Sequence, residues 1–136
     1  MKKLIFAAVA TFAATVAFAS PASANLNVFA CEPEWGALAT EIGGDKVQVY
    51  TATNGGQDPH QVQARPSLIA SARRANVTVC TGAELEVGWL PQIIQQSSNA
   101  HIAPGTPGSF EATSAVHMME LPTSVDRSQG DIHAGG

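Results

Sequence analysis

The sequence is poor in charged and aromatic residues: 13% of its 136 residues are charged and 6% are aromatic. Proteins that bind nucleic acids usually present surfaces rich in Lys and Arg, whereas this chain has 11 acidic and only 7 basic side chains. This scarcity of basic residues excludes a protein that binds nucleic acids or other polyanions. Apolar residues make up 45% of the chain, which is enough to build a core and excludes wholesale disorder.

The sequence also lacks the motifs that mark common enzyme classes. It contains no His-Glu-x-x-His zinc motif, no Gly-x-Ser-x-Gly nucleophile turn and no glycine-rich loop of the dinucleotide- or phosphate-binding type. The pair Gly55-Gly56 alone is too little to predict a phosphate site. We therefore predict no catalytic residues, no residues that bind an organic cofactor and no enzymatic activity.

The amino terminus has the three parts of a secretory signal. Two lysines precede an apolar stretch over 4–18, and small residues follow at 22–24. The apolar stretch is shorter than the ~20 residues that a membrane-spanning helix needs. We therefore predict that residues 1–24 are a cleavable signal peptide and that residues 25–136 form one domain in the periplasm. Without the signal, five basic and eleven acidic side chains remain.

Short apolar runs alternate with helical patterns along the first part of the predicted domain. Strands are predicted over 26–30, 47–50 and 77–80, and helices over 35–42, 66–74 and 89–96. This alternation is typical of βαβ units, so we predict an α/β fold in which helices flank a parallel sheet. Beyond residue 97 the chain is rich in Ser, Gly and Pro, its one sustained apolar piece is 116–121, and no element is assigned there.

Two cysteines, Cys31 and Cys80, follow or end the first and third predicted strands. Their spacing is not that of a Cys-x-x-Cys redox pair, and disulfides persist outside the cytoplasm. Neighbouring parallel strands lie ~4.8 Å apart, so a bridge between their ends needs little backbone movement. We predict a structural disulfide between Cys31 and Cys80.

The candidate metal ligands are the four histidines, namely His60, His101, His117 and His133. Imidazole is the commonest nitrogen ligand of zinc and suits other divalent transition metals. His60 follows Asp58-Pro59 at the end of a glycine-rich loop, which predicts an exposed side chain positioned by a rigid dipeptide. The alternative is a surface histidine without a role, and this is our interpretation of the other three. Glu84 and Glu86, beside the third strand, are interpreted as a solvated face.

Several motifs follow one another in a characteristic order. They are Cys31-Glu32-Pro33-Glu34-Trp35, Glu41-Ile42-Gly43-Gly44-Asp45, Asp58-Pro59-His60, Ala75-Asn76-Val77 and Thr81-Gly82-Ala83-Glu84-Leu85-Glu86. In this order they resemble the zinc- and manganese-type substrate-binding proteins of bacterial ABC importers, from about residue 26 to the end of the chain. The resemblance implies two α/β lobes joined by a long helix, a metal ion bound in the cleft between them, and His60 as one ligand of that ion.

The other ligands of that family have no match in this sequence. A second histidine normally opens the linker helix in an Asn-Pro-His segment, which His133 does not match, and further ligands come from the second lobe. The resemblance thus implies that residues 25–136 are an N-terminal lobe without the linker helix and the C-terminal lobe. Zinc sites need about three or four protein ligands, so such a chain is expected to hold zinc or manganese weakly or not at all.

The function implied by the resemblance is periplasmic capture of zinc or manganese for an ABC permease, with membrane contact only through that permease. Two alternatives remain open from the residues alone. One is an exported metal carrier that dimerises and pools His60 with His117 or His133 across a two-fold interface. The other is a thiol-disulfide protein that uses Cys31 and Cys80.

Overall fold

The computed structural model of the chain describes residues 25–119, so the predicted signal peptide and His133 lie outside the described residues. The four strands of this part of the chain are β1 (Leu26–Ala30), β2 (Val47–Thr51), β3 (Val77–Cys80) and β4 (Ser109–Glu111). Its three α-helices are α1 (Pro33–Gly43), α2 (Pro66–Arg74) and α3 (Leu90–Ser97). All strand pairs are parallel, in the order β2-β1-β3-β4. The predicted α/β fold with a parallel sheet is therefore confirmed.

A proline in the first turn of each helix explains why the helices begin where they do. Pro33, Pro66 and Pro91 occupy the first or second helical position of α1, α2 and α3. Proline is favoured there because its fixed φ angle suits a helix and because the first turn has no carbonyl partner for an N–H group. The first helix was predicted to begin at residue 35, two residues too late, because the prediction relied on the spacing of apolar residues and not on Pro33.

The core lies between the sheet and the helices α2 and α3, and its large side chains are fully buried: Phe29, Leu68, Trp89, Ile93 and Ile102. The central strand β1 contributes three consecutive buried residues, as expected of a parallel strand that is covered on both faces. Burial of each large apolar side chain contributes roughly 1.5–3 kcal/mol to folding. The two edges of the sheet, β2 and β4, contain no fully buried residue.

Helix α1 packs differently from what its apolar spacing indicates. Leu38 and Ile42 are 47% and 78% exposed, and the buried residue of this helix is Gly36. Gly36 lies directly against the side chain of Thr51, at the end of β2, where a Cβ atom would clash. A close approach of the helix backbone to the sheet thus replaces the interdigitation of large side chains.

The chain beyond residue 97 contains an element that the sequence did not predict. The strand β4 is three residues long and extends the sheet beyond β3, and the Gly108 carbonyl oxygen accepts a 2.8 Å hydrogen bond from the Thr78 N–H. Its Phe110 is 44% exposed, so the strand has no alternation of buried and exposed residues to recognise. Short 3₁₀ turns flank it at Ala100–Ile102 and Ala112–Ala115. Across residues 25–119, no helix has the length and apolar character needed to traverse a lipid bilayer.

Candidate metal-binding site and a buried carboxyl pair

The carboxyl ends of β1 and β3 lie side by side, and the two turns that follow these strands are joined by hydrogen bonds. The Trp35 indole N–H donates to the Thr81 hydroxyl oxygen over 2.8 Å. That hydroxyl in turn donates to Oε2 of Glu32 over 3.2 Å. The segments that the sequence placed at the ends of the first and third strands therefore meet, as expected for neighbouring strands of a parallel sheet.

His60 lies in the loop between β2 and α2, where Asp58 contacts it twice. Oδ1 of Asp58 accepts the backbone N–H of His60 over 2.9 Å and also lies 2.9 Å from the ring atom Nδ1. The hydrogen bond from the His60 backbone, followed by that from its ring, lowers the pKa of Asp58. A carboxylate that holds Nδ1 in this way orients the ring, as is common for histidines that bind metals.

The prediction that the His60 side chain is exposed is wrong, because only 18% of its surface remains accessible. The loop packs against Trp89 at the start of α3, whose indole N–H donates a 2.7 Å hydrogen bond to the Pro59 carbonyl oxygen. The loop also approaches the backbone at Gly88, where an added Cβ atom would lie only 3.0 Å from the His60 carbonyl oxygen. The loop is thus anchored to the core.

Replacing Trp89 with Phe is expected to loosen the His60 loop and to lower the free energy of unfolding by about 1–3 kcal/mol. The substitution keeps an aromatic ring in the core but leaves the Pro59 carbonyl oxygen without the indole donor. Urea denaturation and amide hydrogen exchange over residues 58–62 would measure the two effects. Trp35→Phe is the matched control, since it also removes an indole N–H, but one that donates to Thr81 and not to the His60 loop. Equal loss of amide protection at 58–62 in both variants would contradict the local role of Trp89.

Within residues 25–119, no other histidine joins His60 in a group of three or more potential metal ligands. His101 and His117 are exposed, as interpreted from the sequence, and His133 lies outside the described residues. Over residues 25–119, one group of three or more His, Cys, Asp and Glu side chains is close enough to share an ion, and it consists of Cys31, Cys80 and Glu86. His60 is not a member of this group, so no set of three or more potential ligands that includes His60 forms within residues 25–119.

The structure contains a disulfide between Cys31 and Cys80, with Cα atoms 4.9 Å apart. Both residues are fully buried, and the Cys31 N–H donates to the Val79 carbonyl oxygen over 2.9 Å. The bridge thus joins the ends of two strands that already pair. Its position follows from the parallel register of β1 and β3.

Glu86 is buried, so its interpretation as part of a solvated face is wrong, whereas Glu84 is exposed as expected. Oε1 of Glu86 accepts the Thr81 N–H over 2.8 Å, and Oε2 accepts the Gly82 N–H over 3.0 Å. The turn has positive φ angles at Gly82, Ala83 and Glu84, which fold the chain back over these amides. Sequence reasoning missed this role, although a glycine after a strand with a glutamate four residues later is a usable signal.

Glu32 is the second buried carboxyl group of this region, at 4% exposure. Burial, and next the negative charge of Glu86, raise the pKa of Glu32 from 4.5 to about 8, and burial also raises the pKa of Glu86. Glu86 accepts hydrogen bonds through both oxygens, as a carboxylate does, whereas no donor among residues 25–119 reaches Oε1 of Glu32. The raised pKa of Glu32 therefore favours its protonated form at neutral pH. No pattern in the sequence indicates this pair.

The sequence is similar to known metal-transport proteins over most of its length. A family model matches residues 28–134, and it is that of ZnuA, the periplasmic component A of the zinc-uptake complex. The manganese ABC transporter substrate-binding lipoprotein scaA of Streptococcus gordonii is 22% identical over 134 residues, which cover 96% of this chain and 42% of that protein.

Solved structures show the same fold. A periplasmic metal binding protein from Candidatus Liberibacter asiaticus has a TM-score of 0.58 and 20% identity, over 74% of this chain and 35% of that chain. A crystal structure of ZnuA has a TM-score of 0.51 and 27% identity, over 57% of this chain and 29% of that chain. The chain spans less than half the length of each of these relatives.

The matched proteins are transport components that act outside the cytoplasm. The matched family is one of substrate-binding transport components and not an enzyme class. Its relatives are periplasmic proteins or exported lipoproteins, which supports an extracytoplasmic location for this chain. The alternative of a thiol-disulfide protein or an oligomeric metal carrier is not favoured. The chain belongs to the ZnuA family of periplasmic zinc-uptake components.

Proposed function

We propose that the chain takes part in the capture of a divalent metal ion, zinc or manganese, for an ABC importer. The observation that carries this proposal is the Asp58–His60 pair in a chain of the ZnuA family. His60 supplies an imidazole ligand, and Asp58 orients it. The ion is the transported substrate, which the chain passes to a permease. The chain contacts the membrane only through that permease.

The chemistry of the pair suits a metal ligand. Histidines that bind metals usually donate their second ring N–H to a carboxylate or a carbonyl group, which fixes the tautomer and makes the ligating nitrogen more basic. Asp58 is placed to do this, with Oδ1 2.9 Å from Nδ1 of His60. The lowered pKa of Asp58 keeps this carboxylate ionised at neutral pH.

One imidazole is not a complete site for zinc, which takes about four ligands in proteins. We therefore propose that residues 25–136 form the N-terminal lobe of a two-lobed binding protein, and that the remaining ligands come from outside residues 25–119. On this proposal the described part of the chain alone binds zinc or manganese weakly. We also propose that residues 1–24 are removed as a signal peptide and release the chain into the periplasm, which N-terminal sequencing of the exported chain would test.

The test of the metal site is a titration of the purified chain with Zn²⁺ and Mn²⁺, followed by calorimetry and by the NMR signals of the His60 ring. We expect weak binding that shifts the His60 signals and that His60→Ala weakens by about tenfold or more. Asp58→Asn is expected to weaken it by about 10–100-fold, the usual range for a residue that orients a ligand.

The matched control is His101→Ala, which removes an exposed histidine from a 3₁₀ turn and is expected to leave the binding unchanged. Equal affinities of the parent and His60→Ala would contradict the assignment of His60. Unshifted His60 signals at millimolar Zn²⁺ and Mn²⁺ would contradict it as well.

A further inference from the structure

A second group of metal-ligating atoms lies in the core, apart from His60. The sulfur atoms of Cys31 and Cys80 and a carboxylate oxygen of Glu86 all lie within 4.8 Å of one another. The three residues are 0%, 1% and 3% exposed. In the structure the two sulfurs are bonded to each other, and so they are not available to an ion.

We propose that reduction of the Cys31–Cys80 disulfide turns this group into a binding site for zinc or a similarly thiophilic ion. Two thiolates and a carboxylate are donors that zinc takes in tetrahedral sites, and thiolates favour such ions over magnesium or calcium. Cys31, Cys80 and Glu86 supply three ligands, and a water molecule or the neighbouring carboxyl group of Glu32 completes the site.

The reduction requires a dithiol as the electron donor. The dithiol transfers two electrons and two protons to the two sulfurs, so the S–S bond breaks and the dithiol closes into a cyclic disulfide. The ion then displaces the two thiol protons, which pass to water. Two thiolates and one carboxylate leave the zinc complex with one net negative charge.

The surrounding backbone keeps these ligands in place when the S–S bond is broken. The Cys31 N–H remains bonded to the Val79 carbonyl oxygen in the ladder between β1 and β3. The two amides of the 81–82 turn hold the Glu86 carboxylate in its orientation. Two sulfurs at ~2.3 Å from a tetrahedral ion lie ~3.8 Å apart, a separation that side-chain rotation gives from Cα atoms at 4.9 Å.

A cavity of about 300 Å³ between α3 and β4 leads from the surface to the Cys80 side of the pair. Its lining includes Cys80, Leu90, Ile94 and Phe110. Phe110 is exposed and belongs to the short edge strand β4, so the outer wall of the cavity lies at the surface of the protein. On this proposal, an ion or a small reductant enters through this cavity, since Cys80 forms part of its wall.

The test uses Co²⁺, whose complexes with thiolates have charge-transfer absorption in the near ultraviolet. The chain carries His60→Ala, so the result is independent of the function proposed above. It is reduced and then freed of reductant by anaerobic gel filtration. We expect the reduced chain to gain the absorption band, to saturate with one Co²⁺ per chain and to lose the band when Zn²⁺ is added. The oxidised chain is expected to show no band.

Two sets of variants separate a built site from bare thiols. Glu86→Gln is expected to weaken Co²⁺ binding by about tenfold or more, at least the effect of losing an outer-shell partner. Glu84→Gln, in the same turn but exposed, is the matched control and is expected to bind like the parent. The double variant Cys31→Ser, Cys80→Ser is expected to show no band.

A reduced chain that is folded by circular dichroism but shows no band would overturn the proposal. Equal affinities of Glu86→Gln and Glu84→Gln would overturn it too. If reduction unfolds the chain, Zn²⁺ is expected to restore the folded spectrum of the parent and not that of the double serine variant. Failure of that recovery would likewise overturn the proposal.

Discussion

Replacing both Cys31 and Cys80 with alanine is expected to lower the free energy of unfolding by about 4 kcal/mol. The disulfide joins residues that are 49 positions apart, and a bridge over a loop of this size restricts the unfolded chain by an entropy equivalent to about 4 kcal/mol at 25 °C. Both sulfurs are also buried, so their removal leaves space in the core and acts in the same direction. Domains of this size are stable by only about 5–15 kcal/mol, so the loss is a large fraction of the total.

Urea denaturation of the parent and the double alanine variant, without reductant, would measure this difference. The reduced parent is the control for the cross-link itself. It is expected to lose a similar free energy while it keeps both sulfur atoms. Equal denaturation midpoints of the oxidised parent and the variant would show that the bridge does not stabilise the fold.

Replacing Glu32 with Gln is expected to remove much of the pH dependence of stability between about pH 4.5 and 8. In the folded chain burial and Glu86 raise the pKa of Glu32 to about 8, whereas its ordinary value is 4.5. Between these values the folded chain binds one more proton than the unfolded chain. The stabilising contribution of Glu32 is therefore fully present below pH 4.5 and is lost as the pH rises through 8.

Gln resembles the protonated form of Glu32 and does not titrate. The variant is therefore expected to be more stable than the oxidised parent at pH 8, by an amount on the order of a few kcal/mol. At pH 4.5 the two should be nearly equal. Urea denaturation at pH 4.5, 6 and 8 measures the difference, and Glu84→Gln, which changes an exposed carboxylate of the adjoining turn, should follow the parent. Parallel pH curves of Glu32→Gln and the parent would contradict the raised pKa.

The sheet and its helices could be predicted because their signals are local. The strand over Leu26–Ala30 is a short, mostly apolar run, and the helix over Pro66–Arg74 begins at a proline and presents Leu68 and Ala72 on one face. The strand over Ser109–Glu111 could not be predicted in this way. Its three residues form a strand because they pair with β3, a contact between distant segments that no short window of sequence contains.

The site was only partly predictable, for a related reason. The sequence placed Cys31 and Cys80 at the ends of neighbouring strands, and the structure contains their disulfide. It did not indicate that Glu32 and Glu86 are buried, since burial of a carboxyl group depends on backbone donors and neighbours that the fold supplies. The role of His60 as a metal ligand stays a prediction, based on the family motif and on its contact with Asp58.

The strand order β2-β1-β3-β4 has a consequence for the rate at which the domain folds. The first strand of the chain is central, yet its partner β3 begins at Val77, and no two neighbouring strands are joined by a tight hairpin. Every strand pairing must close a long loop, and domains with such distant contacts fold in milliseconds to seconds rather than in microseconds. Until Val77–Cys80 is in place, β1 lacks one of its two neighbours and offers an open edge to other chains.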